Sequence, residues 1–160
     1  MSPMTDLETT LRELSGGRVA AVCVGNSMRG DDGFGPAVAA RAESDWVFDA
    51  GSVPENVLPK VERLRPEVVL FVDAADFGAE PGALRLLSPE ELAQGDFSTH
   101  SAPLSVATEY LRQACGAKSM LLAAQAKETE LGTAMSVEMM GAVGEAVGLL
   151  RGILPFRSEG

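Results

Sequence analysis

Short apolar runs alternate with amphipathic segments along this sequence, and this alternation limits the possible folds to a few. Residues 19–24 (VAAVCV) and 67–74 (EVVLFVDA) are apolar and rich in β-branched side chains, which is typical of buried parallel strands. Residues 46–50, 83–88 and 119–125 predict three further strands, the second of them at a sheet edge. Strands that alternate with helices require a mostly parallel sheet with helices on both faces. We therefore predict a three-layer α/β sandwich of about five strands.

The segments between these strands have the spacing and the end signals of helices. Glycines at 16 and 17 close the first helix, and Pro36 fits the first turn of the second. The predicted helices cover residues 6–14, 36–43, 54–64, 89–94, 104–115 and 136–150. The sequence contains no linker or internal repeat, so we predict one domain over residues 1–160, with its core at about residues 18–152.

Charge and cysteine content narrow the possible partners. The net charge of -10 at pH 7 argues against binding to nucleic acid or to an anionic membrane surface, since both need a basic face. The spacing of Cys23 and Cys115 fits neither a disulfide framework nor a zinc site, which indicates a reducing compartment. Because the N-terminal residues lack an apolar signal run, we expect a cytoplasmic protein, and we expect it to be a monomer.

The glycine-rich loop GNSMRGDDG, residues 25–33, follows the first predicted strand and is the sharpest functional signal. Gly25 and Gly30 have the spacing of a phosphate loop, but Asp31 and Asp32 stand where that loop needs Lys and Ser or Thr. Two adjacent carboxylates would repel phosphate, which excludes that function. We interpret Asp31 as a cap of the following helix, and we keep Asp32 as a candidate ligand.

Two further polar side chains are expected near the same edge of the sheet, where α/β proteins bind ligands. Asp73 ends the most hydrophobic predicted strand, and His100, the only histidine, lies in a polar loop before a helix. One imidazole and two carboxylates suit a divalent transition metal, so Asp32, Asp73 and His100 are the candidate ligands. We interpret Asp76 as a turn residue, and Cys23 as buried within a strand and inert.

These blocks also follow each other in a recognisable order. GNSMRGDDGFGP, the second-strand acid with GSVPEN, VDAADFGAEPG and STHSAPL resemble the signature segments of nickel-iron hydrogenase maturation endopeptidases, over residues 19–104. The PEN after the second strand resembles most the branch that acts on formate-hydrogenlyase-type hydrogenases. A relative that acts on F420-reducing hydrogenases is the alternative within the family.

The resemblance implies a function and a set of site residues. Members of this family remove a short C-terminal extension from the hydrogenase large subunit once nickel has been inserted. By resemblance, Asp32, Asp73 and His100 bind the metal and form the catalytic site of an aspartic-type endopeptidase with metal-dependent recognition. The nickel is then supplied by the precursor instead of being a permanent cofactor, although another divalent metal can occupy the site in vitro.

Two alternatives from other classes stay open at this point. A signalling receiver domain has paired acids, a strand-end acid and a lysine, which Asp31, Asp32, Asp73 and Lys127 imitate. In a receiver, however, the acids lie at the strand end and no histidine loop is needed. A nickel chaperone or scaffold without catalytic activity could have the same site, and a cleavage assay separates it from a protease.

Overall fold

In a computed structural model of the chain, the described residues are 6–14, 17–88, 91, 98–99 and 104–154. The strands are β1 (Val19–Cys23), β2 (Val47–Asp49), β3 (Val68–Asp76), β4 (Leu84–Leu87), β5 (Ser98–Thr99) and β6 (Lys118–Gln125). The α-helices in these ranges are α1 (Asp6–Leu14), α2 (Phe34–Ala42), α3 (Leu58–Arg63), α4 (Ser105–Cys115) and α5 (Val137–Arg151). All of them except β5 fall on segments predicted from the sequence.

The remaining predicted helices differ in detail. Two 3-10 helices, Gly30–Gly33 and Pro54–Val57, precede α2 and α3, so the helix predicted over residues 54–64 begins as a 3-10 turn. The acidic helix predicted over residues 89–94 falls on a segment of which only Glu91 is described. None of the helices in the described ranges has both the length and the apolarity needed to cross a bilayer.

The main sheet has the strand order β2-β1-β3-β6-β4, with short β5 paired to β3. Strands β2, β1, β3 and β6 are parallel, and β4 runs antiparallel to β6 at the edge. The prediction of a mostly parallel sheet of about five strands with an edge strand over residues 83–88 is therefore confirmed. Parallel strands place their carboxyl ends at one edge of the sheet, and the loops from that edge enter the helices.

Each face of the sheet has its own apolar core because side chains alternate along the strands. In β1, Ala21 and Cys23 belong to the core that α1, α2 and α5 cover. Ala20 and Val22 belong to the core that α3 and α4 cover on the opposite face. Helices on both faces were predicted, and this is what the structure has.

Strand β5 is a correction to the sequence analysis, which placed it in a polar loop. It pairs antiparallel with the end of β3, Thr99 with Ala75 and Ser98 with Asp76. On its other side Ala75 pairs with Gln125 of β6, so β5 uses the edge of β3 on which β1 lies. A two-residue polar strand has no hydrophobic alternation, so the sequence gives no signal for it.

Helix α2 packs unusually close to β1 and β3 through Gly35. A Cβ atom on Gly35 would lie 2.3 Å from Val24 O and 2.8 Å from Val72 O. These carbonyls belong to the backbone directly after β1 and within β3, which cannot move independently of the sheet. The glycine therefore allows the loop after β1 and the start of α2 to lie directly on the carboxyl edge.

We expect Gly35→Ala to lower the free energy of unfolding by about 1–3 kcal/mol, because the added methyl group overpacks the contact between helix and sheet. The matched control is Gly148→Ala in α5, where a Cβ atom meets nothing within 4 Å. That change should stabilise the protein by about 0.5–1 kcal/mol through helix propensity. Urea unfolding of both variants tests the packing, and equal effects of the two would contradict it.

Candidate functional site

The loop after β1 folds back on itself and places Asp32 at the carboxyl edge. The backbone N–H of Asn26 donates to Asp32 O at 3.1 Å and to Asp32 Oδ2 at 3.0 Å. A Cβ atom on Gly25 would lie 2.1 Å from Asp32 O, so the closure requires glycine at that position. Asp32 lies in the 3-10 turn and is 2% exposed. The sequence singled out this residue, and the tight loop explains the glycines around it.

Asp73 lies inside β3, at the point where β1 no longer covers it. Cys23, the last residue of β1, pairs with Val72, and Asp73 is the next residue along β3. The strand extends beyond the predicted end at residue 74 and reaches Asp76. Asp73 is completely buried, and the 3-10 turn that carries Asp32 contacts β3. The two candidate acids therefore lie at the same edge of the sheet.

The third candidate ligand, His100, lies outside the described residues. Its neighbour Thr99 is described and pairs with Ala75, two residues after Asp73. Strand β5 thus brings the chain before His100 to the segment of β3 that follows Asp73. Among the described residues, no group of three or more His, Cys, Asp or Glu side chains is placed to hold a metal ion. A three-ligand site here therefore depends on His100 and stays a prediction.

Asp31 has a different role from the one predicted for it. It does not cap its own helix, because neither the 3-10 turn nor α2 has a side-chain cap. Its Oδ2 accepts hydrogen bonds from Lys127 N at 2.8 Å and Glu128 N at 3.1 Å. Ser136 donates twice, from its N–H to Oδ1 at 2.7 Å and from its hydroxyl to Oδ2 at 2.9 Å. The carboxylate therefore anchors the loop after β6 to the loop after β1.

The surroundings of Asp31 stabilise its charged form. Burial alone would raise the pKa of Asp31, but the four hydrogen bonds outweigh burial and hold that pKa below its ordinary value of 3.8. Ser136 is the N-cap of α5, and its hydroxyl also accepts a hydrogen bond from Met139 N at 3.1 Å. Sequence reasoning found Ser136 as the start of this helix but missed its contact with Asp31.

Cys23 is buried, as predicted, and its surroundings favour the protonated thiol. Burial raises its pKa far above the usual range, and the negative charges of Asp49 and Asp73 raise it further. A protonated thiol is neither a nucleophile nor a metal ligand. Both acids lie beside the end of β1, since Asp49 of β2 pairs with Cys23 and Asp73 follows Val72, the partner of Cys23 in β3.

Gln125, which sequence reasoning missed, organises the turn after β3. Its Oε1 accepts hydrogen bonds from Phe77 N at 2.9 Å and Ala79 N at 3.1 Å. Its Nε2 donates to Asp76 Oδ1 at 3.2 Å, and this oxygen also accepts from Gly78 N at 3.3 Å. The interpretation of Asp76 as a turn residue is confirmed. A glutamine at the end of an otherwise apolar strand was the available signal for Gln125.

Lys127 does not occupy the position of a receiver lysine. Its ammonium group pairs with Glu138 at 2.7 Å, at the start of α5. Asp31, the first acid of the supposed receiver pair, is bound by residues 127–136 instead of facing an open site. The geometry therefore gives no support to the receiver alternative.

The chain is thus a three-layer α/β protein that buries the two candidate acids, Asp32 and Asp73, at the carboxyl edge of its central parallel strands. The sequence model of the family described as hydrogenase maturation protease (HycI) matches residues 38–153. The chain therefore belongs to the hydrogenase maturation protease family, as its signature segments predicted.

Individual relatives agree with this assignment. The Escherichia coli K12 protein named hydrogenase 3 maturation protease is 42% identical over 101 residues, which cover 59% of this chain and 65% of that protein. This alignment thus spans less than two thirds of the relative. A crystal structure of the NiFe hydrogenase maturation protease HycI from Thermococcus kodakarensis KOD1 superposes with a TM-score of 0.80 at 30% identity, covering 91% of this chain and 98% of that one. The solution structure of the endopeptidase HycI from Escherichia coli gives 0.72 at 31% identity, covering 89% and 99%.

We expect Asp31→Asn to lower the free energy of unfolding by about 2–4 kcal/mol, more than the loss of a helix cap. Both carboxylate oxygens accept backbone N–H groups, so either orientation of the amide sets its NH₂ group against a donor. Urea unfolding near neutral pH measures the loss. Glu145→Gln also replaces a carboxylate by an amide, but at an exposed position of α5. It is the control and should leave the free energy of unfolding nearly unchanged.

The pH dependence of the free energy of unfolding provides an independent check on the anchor formed by the Asp31 carboxylate. Because the folded-state pKa of Asp31 is lowered, its contribution is complete above the ordinary value of 3.8 and is lost as the pH falls below it. The stability difference between the wild type and Asp31→Asn should therefore be constant near neutral pH and shrink under more acidic conditions. A difference that grows on acidification would contradict the anchor.

Proposed function

We propose that this protein is an endopeptidase that removes the C-terminal extension of a nickel-iron hydrogenase large-subunit precursor after nickel insertion. Family membership supports the protease activity. Similarity to a hydrogenase 3 maturation protease supports a hydrogenase as the substrate. The observation that carries the proposal is the burial of two carboxylates, Asp32 and Asp73, where β1 and β3 open towards the loops.

Asp32, Asp73 and His100 bind the nickel that the precursor carries. Carboxylate oxygens and an imidazole nitrogen are suitable ligands for a divalent transition metal, and two carboxylates balance its charge. Asp31 is excluded as a ligand because its two oxygens already accept four hydrogen bonds. Cys23 is excluded because burial raises the pKa of its thiol.

Specificity follows from the electrostatics of these acids. Asp32 and Asp73 are both buried at one edge of the sheet, where two carboxylates balance the charge of a dication. Nickel held by the precursor therefore completes the site at the moment of binding, which selects loaded precursor over empty precursor. A divalent metal held by Asp32, Asp73 and His100 would supply Lewis-acid chemistry, which would orient the substrate and polarise either water or the scissile carbonyl. In this sense Asp32, Asp73 and His100 are the catalytic residues of an aspartic-type endopeptidase whose recognition depends on the metal.

The proposed activity implies where the protein acts and what it binds. The hydrogenase precursor is the partner, and the enzyme acts in the cytoplasm as a monomer, without nucleic acid or a membrane surface. The net charge of -10 supports the exclusion of polyanionic partners.

We expect the protein to shorten a nickel-loaded large-subunit precursor and to leave the nickel-free precursor intact, because the metal completes the site. Mass analysis of the precursor C-terminus after incubation measures both outcomes. Rapid cleavage of nickel-free precursor by metal-free enzyme would contradict the role of the metal, although the protein would still be a protease. Loaded precursor that stays intact under all conditions would favour a nickel chaperone or scaffold.

We expect Asp32→Asn to abolish cleavage while the free energy of unfolding changes little. The amide keeps an oxygen that can accept the hydrogen bond from Asn26 N, but it removes the negative charge that the metal needs. Asp31→Asn is the matched comparison, since it should lose stability and keep cleavage at temperatures where it is folded. Equal loss of cleavage in two fully folded variants would show that both acids act in the reaction.

A further inference from the structure

Three apolar side chains are exposed in the loops at the carboxyl edge, and they belong to neither of the two apolar cores. Among the described residues, seven large hydrophobic side chains are exposed, and Met28, Val53 and Leu131 are the three in these loops. Their exposed fractions are 65%, 45% and 64%. We call these three residues the apolar rim. Exposed apolar surface beside a functional site is typical of a binding surface.

Backbone hydrogen bonds join the three loops that carry the apolar rim. Gly25 N donates to Gly51 O at 2.8 Å and links the loop after β1 to the loop of Val53. Gly132 N donates to Met28 O at 2.8 Å and links it to the loop of Leu131. The rim therefore has a largely fixed backbone, which reduces the entropy that a partner must overcome on binding.

The rim is also connected to the candidate catalytic acids. Asn26 Oδ1 accepts a hydrogen bond from Met28 N at 2.9 Å, while Asn26 N donates to the Asp32 carboxylate at 3.0 Å. Asp32 lies four positions after Met28 in the chain, and four residue steps span at most about 14 Å. A peptide with its reacting bond near Asp32 thus reaches the rim within about four residues of extended chain.

Charged side chains around the rim favour a basic partner. The exposed acids in the three rim loops are Glu55, Glu128 and Glu130. Of the two exposed bases in these described loops, Lys127 is paired with Glu138 at 2.7 Å, which leaves Arg29 to oppose the acids. Acidic side chains therefore outnumber basic ones around the rim, as they do in the whole chain.

We propose that the apolar rim binds the C-terminal extension of the precursor, as an extended segment that carries apolar and basic side chains. This inference rests on the proposed function, because the extension is the part of the substrate that continues past the cut. The rim then holds the extension while Asp32 and Asp73 engage the metal. Recognition combines burial of the rim side chains with attraction between basic groups and the surrounding acids.

Steady-state cleavage of nickel-loaded precursor tests the rim. Met28→Ser and Leu131→Ser should each raise KM about tenfold and leave kcat nearly unchanged, because they remove binding and not chemistry. Met140→Ser is the matched control, since Met140 is 53% exposed on α5 and lies outside the rim loops. It should leave both constants unchanged.

A binding measurement separates the rim from the reaction. A fluorescently labelled synthetic peptide with the sequence of the extension should bind the wild type and Met140→Ser, and bind Leu131→Ser about tenfold more weakly. Glu130→Gln should weaken binding and reduce its dependence on salt, as expected for an attraction between exposed charges.

The possible outcomes distinguish the rim from the proposed function. If the wild type cleaves precursor while the rim variants match it in KM and in peptide affinity, the rim inference is wrong and the proposed function stands. If the wild type fails to cleave loaded precursor, the proposed function is wrong. Effects of equal size in Met140→Ser would also overturn the rim, because they would reflect general loss of surface apolarity.

Discussion

A buried charge is costly unless donors replace its water, and the Asp31 carboxylate obtains four donors from the segment after β6. Three of the four are backbone N–H groups, and they belong to residues 127, 128 and 136. Asp31 N returns a hydrogen bond to Glu128 O at 2.7 Å. The loop after β1 is thereby fixed against the loop after β6, although about 100 residues separate them in sequence. The anchor therefore stabilises two of the three loops that carry the apolar rim, those of Met28 and Leu131.

The register of the sheet determines where the second acid lies. Strand β1 ends opposite Val72, while β3 continues to Asp76 because β6 supports it on the other side. Asp73 is therefore the first residue of β3 beyond the cover of β1, at the edge where the loop with Asp32 closes. Strand β5 then pairs with the last residues of β3. Unequal strand lengths therefore place Asp73 beyond the end of β1, between that end and β5.

The division of labour between two adjacent acids follows from their partners. Directed hydrogen bonds stabilise the charge of Asp31, which lowers its pKa and makes it a structural group. Asp32 is just as inaccessible but is bound from its own loop through Asn26 N. Adjacent carboxylates with such different surroundings have different functions, which is the reason for assigning the anchor to one and the metal to the other.

Sequence alone is enough to establish the layer architecture, because apolar runs of strand length must be buried and the amphipathic segments between them must cover the sheet. It also determined Asp32 and Asp73 as candidates, the turn role of Asp76 and the family. Tertiary structure decided what depends on contacts between distant residues. These are the partners of Asp31, the hydrogen bonds of Gln125 and the pairing of β5. A side chain's hydrogen-bond partner 48 or 105 residues away leaves no local pattern in the sequence, because the fold alone brings the two together.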